Sequence, residues 1–370
     1  MNFDFSEDQK FIQHTAREYL AEHSGLDVCR AVLETDSSYA QDLWKGVAEM
    51  GWLGAAAPEA YGGAGMGHLE LVLIAEEVGR ALAAIPFSSS VYVAVEALLQ
   101  HGTDAQQKQY LPRLCSGETI GAFAFSEGLG DLDGSALRTE LAGGKISGTK
   151  LPVCDGDVAG LALVLARDGN DSSLALVDLE GEGVTRSALR SIDPSRSLAR
   201  VEFAGAPAEV IGEAGKGAEL ASGLLDRAAA IMAFEQIGTA SRVLEITKGF
   251  TMGRYAFGRP VASFQAIKHR MADLYSGIEL ARSNAFYAAW ALSTDDDELG
   301  IAAAAARISA CDVLQLAGEE MIQLHGGVGF TWEYDCHLFY RRAQYTSFAL
   351  GTASEWREKL IRRLEARYAA

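Results

Sequence analysis

Two stretches of this sequence carry residue types suited to holding a phosphate. In RYAFGRPVASFQAIKHRMADLY (254–275) an arginine, a Phe-Gly turn, the pair Arg259-Pro260 and a glutamine precede a predicted helix. Such a turn can offer the Arg254 guanidinium to a phosphate with an amide side chain beside it. It reads equally as a connection between two helices. In QLHGGVGFTWEYD (323–335) Gly326, Gly327 and Gly329 stand at a predicted helix end. They either close that helix in a tight turn with φ > 0 or let a diphosphate approach the backbone. The strand–turn–helix context of a Rossmann fingerprint is missing, so that reading is rejected. A third stretch, SFALGTASEW (347–356), is small in its middle, and nothing between Ser347 and Ser354 titrates near neutral pH.

Asp226-Arg227 sits in SGLLDRAAAIM, among Leu224, Leu225, Ala228, Ala229, Ala230, Ile231 and Met232. A carboxylate there is expected to be partly desolvated, which favours proton uptake, while Arg227 opposes this if it points the same way. The other reading is a surface carboxylate paired with a neighbour. Glu235 lies on the same predicted helix. His325 and His337 read as packing residues, Arg341-Arg342 as partners of helix ends or an interface, and TDDDE (294–298) as a solvated turn.

Several elements must position these groups. Residues 1–118 read as a helical domain: EDQKFIQHTAREYLAEH has apolar residues at helical spacing after a cap at Ser6. Two more helix candidates flank the Gly-rich loop PEAYGGAGMG. Residues 119–208 change to short alternating or apolar runs broken by Gly, Asp and Asn, which read as a β domain of strands and turns ending near Pro207. Residues 209–370 return to long apolar helices with short connections, read as an antiparallel bundle. The fold class is α+β.

Composition narrows the function. The chain has 370 residues, 49% of them apolar, enough for two or three packed units. A net charge of −18 argues against nucleic acid and anionic membranes as partners. The five scattered cysteines read as reduced cytoplasmic thiols, and neither they nor the seven histidines suggest a metal site. The acidic start does not read as a secretory signal, and no long uncharged apolar run suggests membrane insertion.

Taken in order, APEAYGGAGMG, YLPRLCSGE…GAFAFSE, RYAFGRPVASFQAIKHRMAD, QLHGGVGFTWEYD and FALGT span nearly the whole chain. This succession resembles the acyl-CoA dehydrogenase family of flavoproteins. The resemblance implies an N-terminal helical domain, a middle β-barrel or sandwich domain and a C-terminal four-helix bundle. It implies FAD as cofactor and an acyl-CoA thioester as substrate, with the Cα proton going to a carboxylate and the Cβ hydride to flavin N5. By the same resemblance Phe125 and Ser126 line the flavin ring. Arg254, Phe257 and Gln265 hold the pyrophosphate and adenine end of FAD from a neighbouring subunit. Gln323, Gly326 and Gly327 make a second cross-subunit contact, and Gly351 and Thr352 lie beside the flavin, where a small turn leaves room for stacked cofactor and thioester.

In many members the base is a Glu immediately before that Gly-Thr; here the position is Leu350. Other members carry it on an earlier helix before an arginine, a position that Asp226 matches, with Arg227 as substrate-binding neighbour and Glu235 in reserve. The flavin-flanking runs depart from the family pattern: GTKLPVCDG has Pro152 and Cys154, and SEGLGDLDGS lacks a proline. The wording of the motifs looks most like members acting on steroid side chains or other bulky acyl-CoAs. An electron-transfer flavoprotein is the implied electron acceptor, and a homotetramer or a heterotetramer with a homologous subunit the implied assembly. Two other readings stand beside this one: a partner subunit with an incomplete site, and a non-catalytic interaction protein that has kept the fold.

Overall fold

The structure is a computed structural model that describes residues 5–128 and 137–369; most of SEGLGDLDGS therefore lies outside the described residues. Helices come first: α1 (Glu7–His23), α2 (Leu26–Glu34), α3 (Gln41–Glu49), α4 (His68–Arg80), α5 (Phe87–Ser89), α6 (Glu96–His101) and α7 (Asp104–Cys115). A π-helical turn, Ser90–Val95, joins α5 to α6. Strands follow: β1 (Gly121–Ala124), β2 (Glu140–Ala142), β3 (Lys145–Cys154), β4 (Leu161–Asp168), β5 (Asp171–Asp178), β6 (Val184–Leu189), β7 (Leu198–Pro207) and β8 (Glu209–Ile211). The chain then returns to helix with α8 (Gly217–Gly253). A small hairpin of β9 (Tyr255–Ala256) and β10 (Arg259–Pro260) precedes α9 (Gln265–Thr294), α10 (Leu299–His325), α11 (Cys336–Phe348) and α12 (Ala353–Ala369).

Two compact units share the chain. A helical unit takes Met1–Ala31, His68–Ala83 and Ala229–Ala370, and a sheet unit takes Val32–Gly67 and Ala84–Ala228.

In the sheet unit the strands form one mixed sheet in the order β6-β7-β3-β2-β4-β5-β8, with β1 pairing in parallel with β4. Gly143 and Gly144, at φ 57° and 72°, turn β2 into β3, a conformation that glycine adopts without a Cβ clash. β3 turns Ile146, Lys150 and Val153 inward, so a lysine occupies a core position. Its pairing with β7 runs Lys150↔Val201 and then Val153↔Ala199, so Leu151 and Pro152 bulge out of the ladder. β8 lies beyond Pro207, where the sequence suggested the strands would end; three residues are too few to show alternation, and its pairing with β5 defines it.

In the helical unit, Ser6 caps α1 as the sequence predicts, in a capping box with Gln9, a device worth about 1 kcal/mol. α4 and α8 touch main chain to main chain. A Cβ on Gly79 would sit 1.8 Å from the Glu235 carbonyl oxygen, and one on Gly238 would sit 1.8 Å from that of Glu76. The Thr239 hydroxyl donates to the Gly79 carbonyl at 2.9 Å across the same crossing. α10 has the length and composition of a membrane span. Its alanines Ala302, Ala303, Ala304, Ala306 and Ala310 are buried, and it packs against α9 as a core helix.

Candidate active site

The sheet unit holds the residues nearest to the expected chemistry. Asp226 and Arg227 are each only 7% exposed on α8, with Leu224, Leu225 and Ala228 buried around them. Arg227 is held on one side: its Nε donates to Glu96 Oε2 at 2.7 Å, and Glu96 is fully buried. Glu96 begins α6, immediately after the π-helical turn, an irregularity that often marks functional positions. Burial and then the Arg227 charge push the nearby His101 below its ordinary range.

Phe125 and Ser126 follow β1 and are half-buried. Three segments converge there. The Lys150 Nζ, completely buried, donates to Glu127 Oε1 at 2.8 Å and to the Phe125 carbonyl at 3.2 Å. Glu127 also accepts from the backbone N–H of Arg138 (2.8 Å) and Thr139 (2.9 Å). Leu151 N–H donates to the Ser126 carbonyl at 3.0 Å, so the bulge at Leu151-Pro152 meets this segment directly. Burial raises the Glu127 carboxyl, but the Lys150 hydrogen bond and the two backbone N–H groups outweigh it and hold it at about 2. Burial lowers Lys150 from its usual range, and Glu127 opposes that shift. Beyond Cys154, buried Asp155 accepts from the Ser89 hydroxyl at 2.6 Å and pairs with Arg196 at 3.4 Å, which fixes the far end of β3.

The helical unit holds the remaining candidates, and most face outward. Phe257 and Gly258 turn β9 into β10 with φ of 52° and 77°, a type I′ hairpin. A left-handed Phe is uncommon and costs about 1 kcal/mol or more, and its ring is 96% exposed. Arg254 is exposed, and its guanidinium has no hydrogen-bond partner among the described residues; Gln265, also exposed, opens α9 without a side-chain cap. Gln323, Gly326 and Gly327 are exposed at the end of α10, and a Cβ on either glycine would meet open space. His325 stacks on Phe250 with ring centroids 4.1 Å apart, and Arg254 N–H donates to the Phe250 carbonyl at 2.9 Å. That stack brings the glycine turn beside the segment bearing Arg254. His325 is thus a packing residue: Met321 O lies 2.7 Å from its Nδ1, and burial lowers its tendency to protonate.

Between α11 and α12 the small turn is shaped by its own neighbours. Gly351 has φ 91°, and a Cβ there would lie 3.1 Å from Glu355 Oε2. Thr352 and Glu355 form reciprocal hydrogen bonds that cap α12. Leu350 is buried, and its carbonyl accepts from Trp356 Nε1 at 2.9 Å. Arg342 is buried, and its guanidinium donates to the carbonyls of Ala83 and Leu82. Glu235 is 1% exposed on α8.

The residues fit a flavin dinucleotide by the chemistry of their donors. An exposed guanidinium, an amide and an uncapped helix N-terminus suit a diphosphate, and Gly326 and Gly327 leave the backbone open to it. Sequence reasoning passed over Lys150, Glu127 and Glu96. Two signals were present: Lys150 keeps the inward phase of an alternating strand, and Glu96 is the single charge in VYVAVEALL.

Comparison with known proteins bears on the family and the fold. The family described as acyl-CoA dehydrogenase, N-terminal domain, matches residues 6–118, and acyl-CoA dehydrogenase, C-terminal domain, matches residues 215–365. The chain is 32% identical over 363 residues to the acyl-CoA dehydrogenase IpdE2 of Mycobacterium tuberculosis, covering 97% of each. It superposes on the Tcur3481–Tcur3483 steroid ACAD with a TM-score of 0.90 at 30% identity, covering 98% of this chain and 99% of that one. It superposes on the ChsE4–ChsE5 complex of Mycobacterium tuberculosis with a TM-score of 0.88 at 27% identity, with the same coverage.

Proposed function

The chain belongs to the acyl-CoA dehydrogenase family, and we propose that it dehydrogenates a bulky acyl-CoA thioester with Asp226 accepting the Cα proton. FAD, when bound, supplies the acceptor for the Cβ hydride. One observation carries the reading: the position before Gly351 is a buried leucine, while a carboxylate is buried on α8 at Asp226. A carboxylate within ~3 Å of the Cα hydrogen can take the proton as it leaves, and an apolar surround keeps competing water away. Arg227, tied to Glu96, stays on its own partner and stiffens the helix around the base. Glu235 is the reserve candidate.

Phe125 and Ser126 would flank the flavin ring, and Gly351 and Thr352 would leave it room. Arg254, Phe257 and Gln265, with Gln323, Gly326 and Gly327, would hold the dinucleotide of a neighbouring subunit; their outward exposure supports a role toward another chain. An oligomer, a tetramer in this reading, follows from that division. Electrons would leave to an electron-transfer flavoprotein, and the enzyme would work in the cytoplasm. The similarity to a steroid ACAD supports a steroid side-chain thioester or a comparably bulky acyl group.

The test is anaerobic titration of the flavin-loaded protein with steroid side-chain and short-chain acyl-CoAs, following loss of the flavin absorbance. Bleaching by the bulky thioester, lost in Asp226→Asn at unchanged FAD content, is expected. Wild-type bleaching in that variant removes Asp226 from the chemistry.

A second reading is favoured by Leu350 together with the two-chain composition of both structural relatives: a subunit whose flavin site is completed by a homologous partner. A chain that is flavin-free alone but gains FAD on co-expression with a homologous neighbour supports it.

A further inference from the structure

The pair of buried Lys150 and half-buried Glu127 has no place yet in the chemistry. A lysine at a strand's core position is costly, because its ammonium must be taken out of water. An apolar residue would fill the same space without that cost. The ammonium is spent on two acceptors, the Glu127 carboxylate at 2.8 Å and the Phe125 carbonyl at 3.2 Å. The carboxylate takes two backbone N–H groups from the far side of residues 129–136, those of Arg138 and Thr139. One ion pair thus ties together 125–127, 138–139 and 150–151.

The Phe125 carbonyl matters because of what lies across its peptide. In a trans peptide the C=O and the next N–H point in opposite directions. Gripping the Phe125 oxygen therefore aims the Ser126 N–H the other way, and a charged donor on that oxygen polarises the peptide and strengthens the N–H as a donor. The other side of the segment is pinned as well, through Leu151 N–H to the Ser126 carbonyl at 3.0 Å. The Ser126 hydroxyl stays local, 3.2 Å from Gly128 N and O.

We propose that Lys150, with Glu127 as its counter-ion, is a positioning residue for the flavin: it fixes and polarises the Phe125–Ser126 peptide so that the Ser126 N–H is presented to the ring. This rests on the reading above that Phe125 and Ser126 line the flavin.

The experiment compares wild type, Lys150→Met, Lys150→Arg and the double variant Lys150→Met/Glu127→Gln, in the oligomer as purified. FAD affinity, the flavin visible spectrum and midpoint potential, melting temperature, and kcat and KM are measured. Lys150→Met alone leaves the half-buried Glu127 carboxylate without its counter-ion and is expected to melt early. The double variant removes both charges and is expected to fold, yet to bind FAD about tenfold more weakly, the worth of roughly one charge-assisted hydrogen bond. Its flavin spectrum and potential shift, kcat falls and KM for the thioester holds. Lys150→Arg, which keeps a charged donor, recovers the wild-type spectrum in part. A double variant with wild-type spectrum, potential and FAD affinity overturns the proposal, whatever its melting temperature. A wild-type oligomer that takes up no FAD overturns the flavin reading itself and this proposal with it, so the two failures are told apart.

Discussion

The candidate residues of the sheet unit and those of the helical unit are built in opposite ways. Around Asp226 and Ser126 the chain satisfies itself: Glu96 holds Arg227, Lys150 holds Phe125 and Glu127, and of these charges all but the half-buried Glu127 are buried. Around Arg254 and Phe257 it leaves groups open: a guanidinium without a partner among the described residues, and an aromatic ring 96% exposed on a left-handed turn. The first arrangement suits chemistry, which needs fixed geometry in a dry place. The second suits recognition, in which binding energy is realised only when something arrives.

Mutations can break that contrast or sharpen it. The largest expected effect is on turnover: Asp226→Asn lowers acyl-CoA-dependent flavin bleaching by about a thousandfold, measured by stopped flow, with FAD content unchanged. Next comes Glu96→Gln, which leaves Arg227 buried without its carboxylate. A stability loss of about 3–5 kcal/mol is expected, read as a lower urea midpoint for a chain whose exposed residues are intact. Arg254→Ala acts the other way. It is expected to leave the urea midpoint of the apo-protein unchanged and to weaken FAD binding by about ten- to a hundredfold, seen in a fluorescence titration. If Arg254→Ala destabilises the apo-protein as much as Glu96→Gln does, the contrast between the two units fails.

The smallest effect is one of pH. Glu127 has its folded value depressed from 4.5 to about 2, so its contribution is complete above 4.5 and is lost as pH falls toward 2. Melting temperature followed from pH 7 to 3 should therefore decline less steeply below about 4.5 in Lys150→Met/Glu127→Gln than in wild type.

The order of helices, strands and helices is legible in the sequence because each element has its own period. The cap at Ser6, the Gly143-Gly144 turn and the Phe257-Gly258 turn are legible because turn chemistry is local. What the sequence hides is non-local. Lys150 keeps the inward phase of its strand, but its partners Glu127 and Phe125 are assigned only once β3 is placed in the fold. Glu96 and Arg227 are 131 residues apart and mark each other only once α6 and α8 are packed. The small residues of FALGT suggest room for a bound group; the fold adds that Gly351 is also needed by its own turn, where Glu355 stands close.

The crossing of α4 and α8 has a consequence for how this architecture tolerates change over evolutionary time. Its spacing is set by main chain, which every sequence shares, so the apolar residues nearby can be exchanged without altering the gap between the helices. Gly79 and Gly238 veto substitution there, since any Cβ would collide with a carbonyl oxygen at 1.8 Å. Two hydrogen atoms in place of methyl groups thereby set the distance between two helices and leave their other side chains at liberty to drift.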